Sequence, residues 1–151
     1  MTVSELVAKA EVDVAAPPER VWAALTETET RSAYLLGAQV TTTWEVGTSI
    51  TWQGEYEGHP YQDTGTVLVY DEPRQLSTTH YSPLMGRPDE PGNYHTIVYT
   101  LTPTDFGTHL VLTQDGNDSP EQAEQFSRNW TSMLDGLKAH VEHAGTAPHQ
   151  P

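Results

Sequence analysis

The sequence lacks cysteine altogether and has few basic residues. Without cysteine the chain can form no disulfide, no thiolate metal site and no cysteine nucleophile. Seven lysine and arginine residues stand against 21 aspartate and glutamate residues, a formal charge of −14. A surface of that sign repels phosphate backbones and anionic lipid headgroups. We therefore predict that neither nucleic acid nor a membrane surface is a partner.

Long apolar runs are also missing. Hydrophobic residues make up 36% of the chain, and no stretch approaches the roughly 20 consecutive apolar residues needed to span a bilayer. Residues 1–10 lack the basic opening and unbroken apolar segment of a secretory signal. We expect a soluble, cytoplasmic protein with no membrane insertion. The length of 151 residues predicts a single domain over residues 1–143, followed by a flexible tail at 144–151.

The N-terminal residues predict a strand followed by a short helix. Apolar and polar residues alternate from Leu6 to Val14, the period of a strand with one buried face. Pro18 suits the first position of a helix, because its missing N–H needs no partner there. The sequence predicts a short helix after Pro18, then a second one at about 29–35. The apolar residues on the inner face of the first helix are Val21, Trp22 and Leu25.

From residue 39 to residue 114 the chain is rich in β-branched and aromatic residues, and glycine, proline and aspartate divide it into short runs. Short connections between successive strands favour an antiparallel meander. The predicted strands cover about 39–45, 49–56, 61–71, 75–82, 93–102 and 108–114.

A long helix is predicted to close the chain. Ser119 provides a hydroxyl cap, Pro120 occupies the first helical position, and Gln122 is placed to complete a capping box. Apolar residues then recur every three or four positions and form one stripe that must pack on another element. The stripe consists of Ala123, Phe126, Trp130, Met133, Leu134, Leu137 and Val141.

Five segments in this order resemble the START-like SRPBCC superfamily, in particular its branch named after the activator of heat-shock-protein-90 ATPase. The resemblance runs from about residue 6 to residue 143. It implies an α+β helix-grip fold: a seven-stranded curved antiparallel sheet around a long C-terminal helix, with two short helices after strand 1. The segments are VAAPPERVWAAL at 14–25, WEVGTSI at 44–50, GTVLVYDEPRQL at 65–76, GTHLVL at 107–112 and the helix segment 130–141.

The resemblance also implies a cavity between sheet and helix that in many relatives takes lipids, sterols, polyketides or other hydrophobic compounds. Tyrosine and tryptophan suit such a cavity because each offers an apolar body with one polar tip, and methionine adapts to irregular shapes. The same side chains can instead fill a packed core. The predicted ligand-binding residues are Trp52, Tyr56, Tyr81, His95, Tyr99, Trp130, Met133, Leu134 and Leu137.

Histidine is the candidate for acid–base chemistry. His80 and His95 lie on predicted strands, and an imidazole can donate or accept a proton near neutral pH. We find no carboxylate paired with either at a spacing that the sequence reveals, so we predict no catalytic residue. His140 and His143 lie one helical turn apart, but a third metal ligand is lacking. We predict neither a metal nor a cofactor.

Three functions follow from this pattern. The first is a binding module that encloses a small hydrophobic or aromatic molecule. The second is a cyclase, dehydratase or hydrolase acting on a polyketide-like substrate, with His80 or His95 as acid or base. The third is a chaperone-associated domain, which the name of the branch suggests. A homodimer is possible, although no heptad seam indicates one.

Overall fold

The computed structural model describes residues 6–26, 39–56, 58–83 and 88–146; at 56, 91 and 144–146 it describes the backbone alone. It contains the predicted strands and the two helices that fall within these ranges. The elements, in chain order, are β1 Ala8–Val14, α1 Pro18–Thr26, β2 Gln39–Thr42, β3 Ser49–Tyr56, β4 His59–Asp71, β5 Gln75–His80, β6 His95–Thr104, β7 Gly107–Gln114 and α2 Pro120–Thr146.

The strands form one seven-stranded antiparallel sheet with the order β1-β7-β6-β5-β4-β3-β2. Strands β2 to β7 follow one another in space as they do in the chain, so the predicted meander is confirmed. Strand β1 pairs with β7, with Ala8 opposite Gln114 and Val14 opposite Thr108. Strand β4 carries a bulge between Val67 and Val69 in its pairing with β5.

One side of the sheet is covered by α2. Along β6 the side chains of His95, Ile97, Tyr99 and Leu101 are buried, and those between them are more exposed. Strand β7 shows the same alternation. The side chains on the covered side form one apolar cluster with α1 and α2, because each of these helices has an apolar face that must leave water. We call this side the helix-facing side of the sheet.

A second, smaller apolar cluster lies farther along the same sheet. It consists of Val40, Ile50, Trp52 and Val67 from strands β2 to β4. Trp44 and Tyr70 pack against both clusters and so join them. The core of the domain is therefore divided into two parts along the sheet.

Helix α2 begins as the sequence predicts. The N–H of Gln122 donates to Ser119 Oγ over 3.1 Å. The Gln122 side chain accepts from the N–H of Asp118 over 2.7 Å, one residue before the donor that a regular capping box uses. The predicted cap is thus present, and its reciprocal bond is displaced by one residue.

The C-terminal part of α2 is tied to the start of the fold by polar contacts. Arg20 donates to the carbonyl oxygen of Val141 over 2.6 Å. Glu142 accepts hydrogen bonds from the N–H of Ala15 and from Lys138 Nζ. Apolar burial drives the packing of α2 on the rest of the fold, and these directional hydrogen bonds fix its orientation.

One predicted helix lies outside the described residues, and one observed helix extends beyond its predicted end. The second short helix, at about 29–35, lies outside the described residues. Helix α2 continues to Thr146, past residue 143, where the sequence predicts the domain to end. Within the described part of the chain, no helix is long and apolar enough to cross a membrane.

Candidate functional site

A carboxylate and an imidazole meet on the helix-facing side of the sheet. Asp63 on β4 and His80 at the end of β5 are separated by 17 residues, and His80 Nε2 lies 2.9 Å from Asp63 Oδ2. The Asp63 side chain is 13% exposed and that of His80 is 21% exposed. A carboxylate in such surroundings is costly unless it is paired, and here the histidine ring is its partner.

Strand register positions this pair. Thr64 pairs with Tyr81, so Gly65 is opposite His80 and Asp63, two residues from Gly65, lies on the same face as the histidine. On the other side of β4, Asp63 pairs with Trp52 of β3. The Trp52 and His80 rings meet edge to face, with centroids 4.9 Å apart.

His95 extends the ring contact of Trp52 and His80 towards α2, and with Phe126 these three residues form what we call the row of rings. Its ring is nearly parallel to that of His80 at a centroid distance of 6.5 Å, and it lies 6.0 Å from the ring of Phe126 on the helix. Its Nδ1 lies 2.7 Å from the carbonyl oxygen of Asp115 and donates to it, since a carbonyl can only accept. His95 is only 2% exposed. His80 is therefore the histidine of this pair that a ligand reaches more easily.

The Asp63–His80 arrangement fixes the chemistry of the imidazole. An ionised carboxylate only accepts hydrogen bonds, so Nε2 of His80 carries the proton and Nδ1 of the neutral ring is the basic atom. The other carboxylate oxygen, Asp63 Oδ1, is buried and accepts no hydrogen bond from the described residues. An imidazole oriented in this way can accept a hydrogen bond or a proton.

The predicted ligand-binding residues fall into three groups. Trp52 and His95 belong to the row of rings just described, and Trp130 and Met133 lie on the same face of α2 as Phe126, one and two turns further along. Trp130 is half-buried, and its indole N–H donates to the side-chain oxygen of Gln114. The side chain of Tyr56 lies outside the described residues.

The second group belongs to the packed core. Leu134 and Leu137 have no accessible surface, and Tyr99 has 3%. A side chain that borders a cavity large enough for water retains some accessible surface, so Leu134 and Leu137 fill the interior in this conformation, and Tyr99 is almost entirely enclosed. We leave Leu134, Leu137 and Tyr99 out of the lining that we propose below.

Tyr81 faces the other side of the sheet. It follows His80 directly in the strand, and successive side chains point to opposite faces. Its ring stacks on that of Tyr94 with centroids 5.2 Å apart. There Tyr94 donates a hydrogen bond to Asp89, which raises the pKa of the Tyr94 hydroxyl. Tyr94 borders an open cavity of about 360 Å³, together with Thr64, Gly65, Thr66, Thr79 and Asp89.

Sequence reasoning missed Asp63 and did not single out Phe126 as a site residue. Asp63 occupies a strand position two residues from Gly65 and four from Val67, and the buried Val67 marks that alternate set as inward-facing. A charged residue in an inward set is a usable signal for a paired or functional carboxylate. Among the described residues, no three histidine, aspartate or glutamate side chains are grouped so as to hold a metal ion.

Known proteins share this architecture. The solution structure of ChR145 from Cytophaga hutchinsonii is 39% identical to this chain, with a TM-score of 0.83 over 97% of this chain and 100% of the other. CV1439 from Chromobacterium violaceum is 23% identical, with a TM-score of 0.77 over 91% and 97%. Ms6760 from Mycobacterium smegmatis is 20% identical, with a TM-score of 0.74 over 99% and 96%. A comparison with curated proteins finds no match.

Residues 15–142 match the family described as activator of Hsp90 ATPase homolog 1-like protein. This match covers most of the chain, and the similarity to ChR145 extends over nearly all of it. Both agree with the resemblance that the sequence segments indicate, and with the helix-grip arrangement of sheet and helix. The chain belongs to the family of activator of Hsp90 ATPase homolog 1-like proteins, within the START-like SRPBCC superfamily.

Proposed function

We propose that this protein binds a small, largely apolar molecule on the helix-facing side of its sheet. The fold of this family commonly binds hydrophobic ligands. The observation that carries the proposal is the row of rings from β3 to α2, formed by Trp52, His80, His95 and Phe126. Aromatic surfaces with a few polar groups among them are typical of small-molecule sites.

The division of the core supports the same location. One apolar cluster lies around Trp52 and the other around α1 and α2. The Asp63–His80 pair lies beside Trp52, a member of the smaller cluster. A ligand there gains apolar contact from both sides and one polar partner. The side chains that we propose as the lining are Trp52, His80, Phe126, Trp130 and Met133.

Native mass spectrometry of the freshly purified protein is the first test. A co-purifying small molecule that is lost under denaturing conditions identifies the ligand class directly. A titration with N-phenyl-1-naphthylamine, a neutral fluorescent apolar probe, gives the affinity whether or not a molecule co-purifies. Binding also raises the melting temperature by mass action. If neither this probe nor a panel of neutral hydrophobic compounds binds, the proposed function is wrong.

A pair of phenylalanine variants locates the site. Phe126→Ala removes about 55 Å² of apolar contact with the ligand, which costs about 1.4 kcal/mol, or tenfold in affinity. Phe106→Ala is the matched control, because Phe106 lies on the turn between β6 and β7 and is 89% exposed. Equal affinities of the two variants would place the ligand away from the row of rings. Circular dichroism confirms that both variants are folded.

A second candidate function is favoured by the Asp63–His80 pair. With Nε2 held by the carboxylate, Nδ1 of His80 is placed to act as a general base. In this scheme the base removes a proton from carbon next to a substrate carbonyl: the C–H bond breaks, its electrons move to the carbonyl oxygen as an enolate, and the proton resides on His80. This step is the opening of a cyclisation or dehydration.

Deuterium exchange tests this candidate without knowledge of the product. A neutral aryl 1,3-diketone is incubated with the protein in D2O, and loss of the signal of the proton between the carbonyls is followed by NMR. We expect faster exchange than in buffer alone, and no acceleration with His80→Phe. His109→Phe, on the opposite side of the sheet, is the control. Exchange at the buffer rate with the wild-type protein removes this candidate and leaves the binding function in place.

A further inference from the structure

His80, the polar side chain in the proposed lining, presents a hydrogen-bond acceptor and not a donor to a ligand. Asp63 holds the proton of His80 on Nε2, so the acceptor of the neutral ring is Nδ1, an atom that, unlike Asp63 Oδ1, retains accessible surface. No other described residue makes a hydrogen bond to that nitrogen. The Asp63 oxygen that does not touch the histidine is buried. At this pair a ligand therefore meets the imidazole acceptor and not a carboxylate oxygen.

Charge and the number of donors limit which chemical group of a ligand can pair with His80 Nδ1. An anionic group at Nδ1 brings no proton and stands close to the negative charge of Asp63, which repels it. An ammonium group is attracted by the charge of Asp63, but it brings three N–H donors to one accessible acceptor, since the second Asp63 oxygen is buried, and the unmatched donors lose their water. A neutral hydroxyl has one donor for one acceptor.

We infer that the ligand is a neutral aromatic or polycyclic molecule that donates a hydrogen bond from a phenol-type or enol-type hydroxyl to His80 Nδ1. This inference rests on the proposed function and names the chemical class of its ligand. The apolar body lies against Trp52 and Phe126, and the hydroxyl end lies at the Asp63–His80 pair. His80 is here a positioning and recognition residue, whether or not a reaction follows.

Three probes of matched size separate the possibilities. They are 2-naphthol, 2-methoxynaphthalene and 2-naphthoate, and their affinities are measured by calorimetry with the wild-type protein. One net hydrogen bond makes 2-naphthol about fivefold tighter than 2-methoxynaphthalene. We expect 2-naphthoate to bind more weakly than either. Equal affinities for 2-naphthol and 2-methoxynaphthalene overturn this inference and leave the proposed function standing. If none of these three probes binds, and none of the neutral compounds named above binds either, both the inference and the proposed function are wrong.

Asp63→Asn tests whether the carboxylate sets the acceptor. The amide of this variant can donate to Nε2, which moves the ring proton to Nδ1 and turns the acceptor into a donor. We expect the ratio of the affinities for 2-naphthol and 2-methoxynaphthalene, measured with the same variant, to fall to about onefold. Asp71→Asn is the matched control, since Asp71 lies at the end of the same strand and pairs with Arg74 in water.

The nitrogen chemical shifts of the His80 ring report its tautomer directly. In the wild-type protein we expect the pattern of an Nε2-protonated ring, and in D63N that of an Nδ1-protonated ring. If D63N does not fold, His80→Phe keeps a ring in place and removes the acceptor, and the naphthol preference is expected to disappear. A preference for 2-naphthol that survives in D63N and in His80→Phe overturns the inference.

Discussion

Gly65→Ala is the substitution expected to disturb both the sheet and the site. A Cβ built on Gly65 lies 1.9 Å from the carbonyl oxygen of Thr79 and 2.7 Å from its carbonyl carbon. These are backbone atoms of the neighbouring strand and cannot rotate away, so β4 must move off β5. Overpacking of this kind costs about 1–3 kcal/mol, and the fixed backbone places the expected cost at about 3 kcal/mol. At about 2–4 °C per kcal/mol for a chain of this size, the melting temperature falls by about 6–12 °C.

Thermal unfolding followed by circular dichroism measures this effect. Gly92→Ala is the control, because a Cβ on Gly92 meets nothing within 4 Å, and its melting temperature is expected to change by less than about 2 °C. The movement of β4 also carries Asp63 away from His80, so the ring of His80 loses its wild-type nitrogen shifts. A Gly65→Ala protein that melts within about 2 °C of wild type would refute the reasoning about close strand approach.

Two further predictions concern pH. The hydrogen bond from His109 to Asp13, and then the one to Glu11, raise the pKa of His109 above its ordinary value of 6.5. The stabilisation that these bonds provide is therefore present below pH 6.5 and lost as pH rises through the folded pKa. In urea unfolding at pH 6 and pH 9, the free energy of unfolding should fall more between the two pH values for wild type than for His109→Asn. The hydrogen bond from Lys138 lowers the pKa of Glu142 below its ordinary value of 4.5, so its stabilisation is present above pH 4.5 and lost as pH falls through the folded pKa. As pH falls, the free energy of unfolding should decrease less for Glu142→Gln than for wild type. Parallel pH dependences of the two proteins would contradict this account.

The elements of the fold could be predicted from local patterns. The start of α2 depends on Ser119 and Pro120, which are neighbours in sequence, and the observed helix begins there. The burial of β6 and β7 follows the alternation of their residues. The signals that define these elements lie within a few residues of one another, so they are legible in one sequence.

The site was less predictable because its contacts join different strands. His80 could be recognised as a candidate by its residue type, but its carboxylate partner lies 17 residues away on β4. Only strand register brings the two together, and alternation within a strand does not give register between strands. Likewise, alternation could not tell a cavity wall from a packed interior, and Leu134 and Leu137 belong to the interior.

The bulge in β4 lets the strand accommodate one extra residue without separating the aspartate–histidine pair. Asp71 pairs with Gln75 at the turn, and an unbroken register from there would set Thr66 opposite His80 and turn Asp63 to the outer side of the sheet. The extra residue between Val67 and Val69 reverses that parity. Deletion of Leu68, which is exposed, would therefore make Val67–Thr78 and Val69–Ser77 consecutive pairs of one regular ladder and keep Asp63 on the same face as His80. Among relatives, a one-residue gap at this point in an alignment should therefore be compatible with an aspartate–histidine pair at these positions.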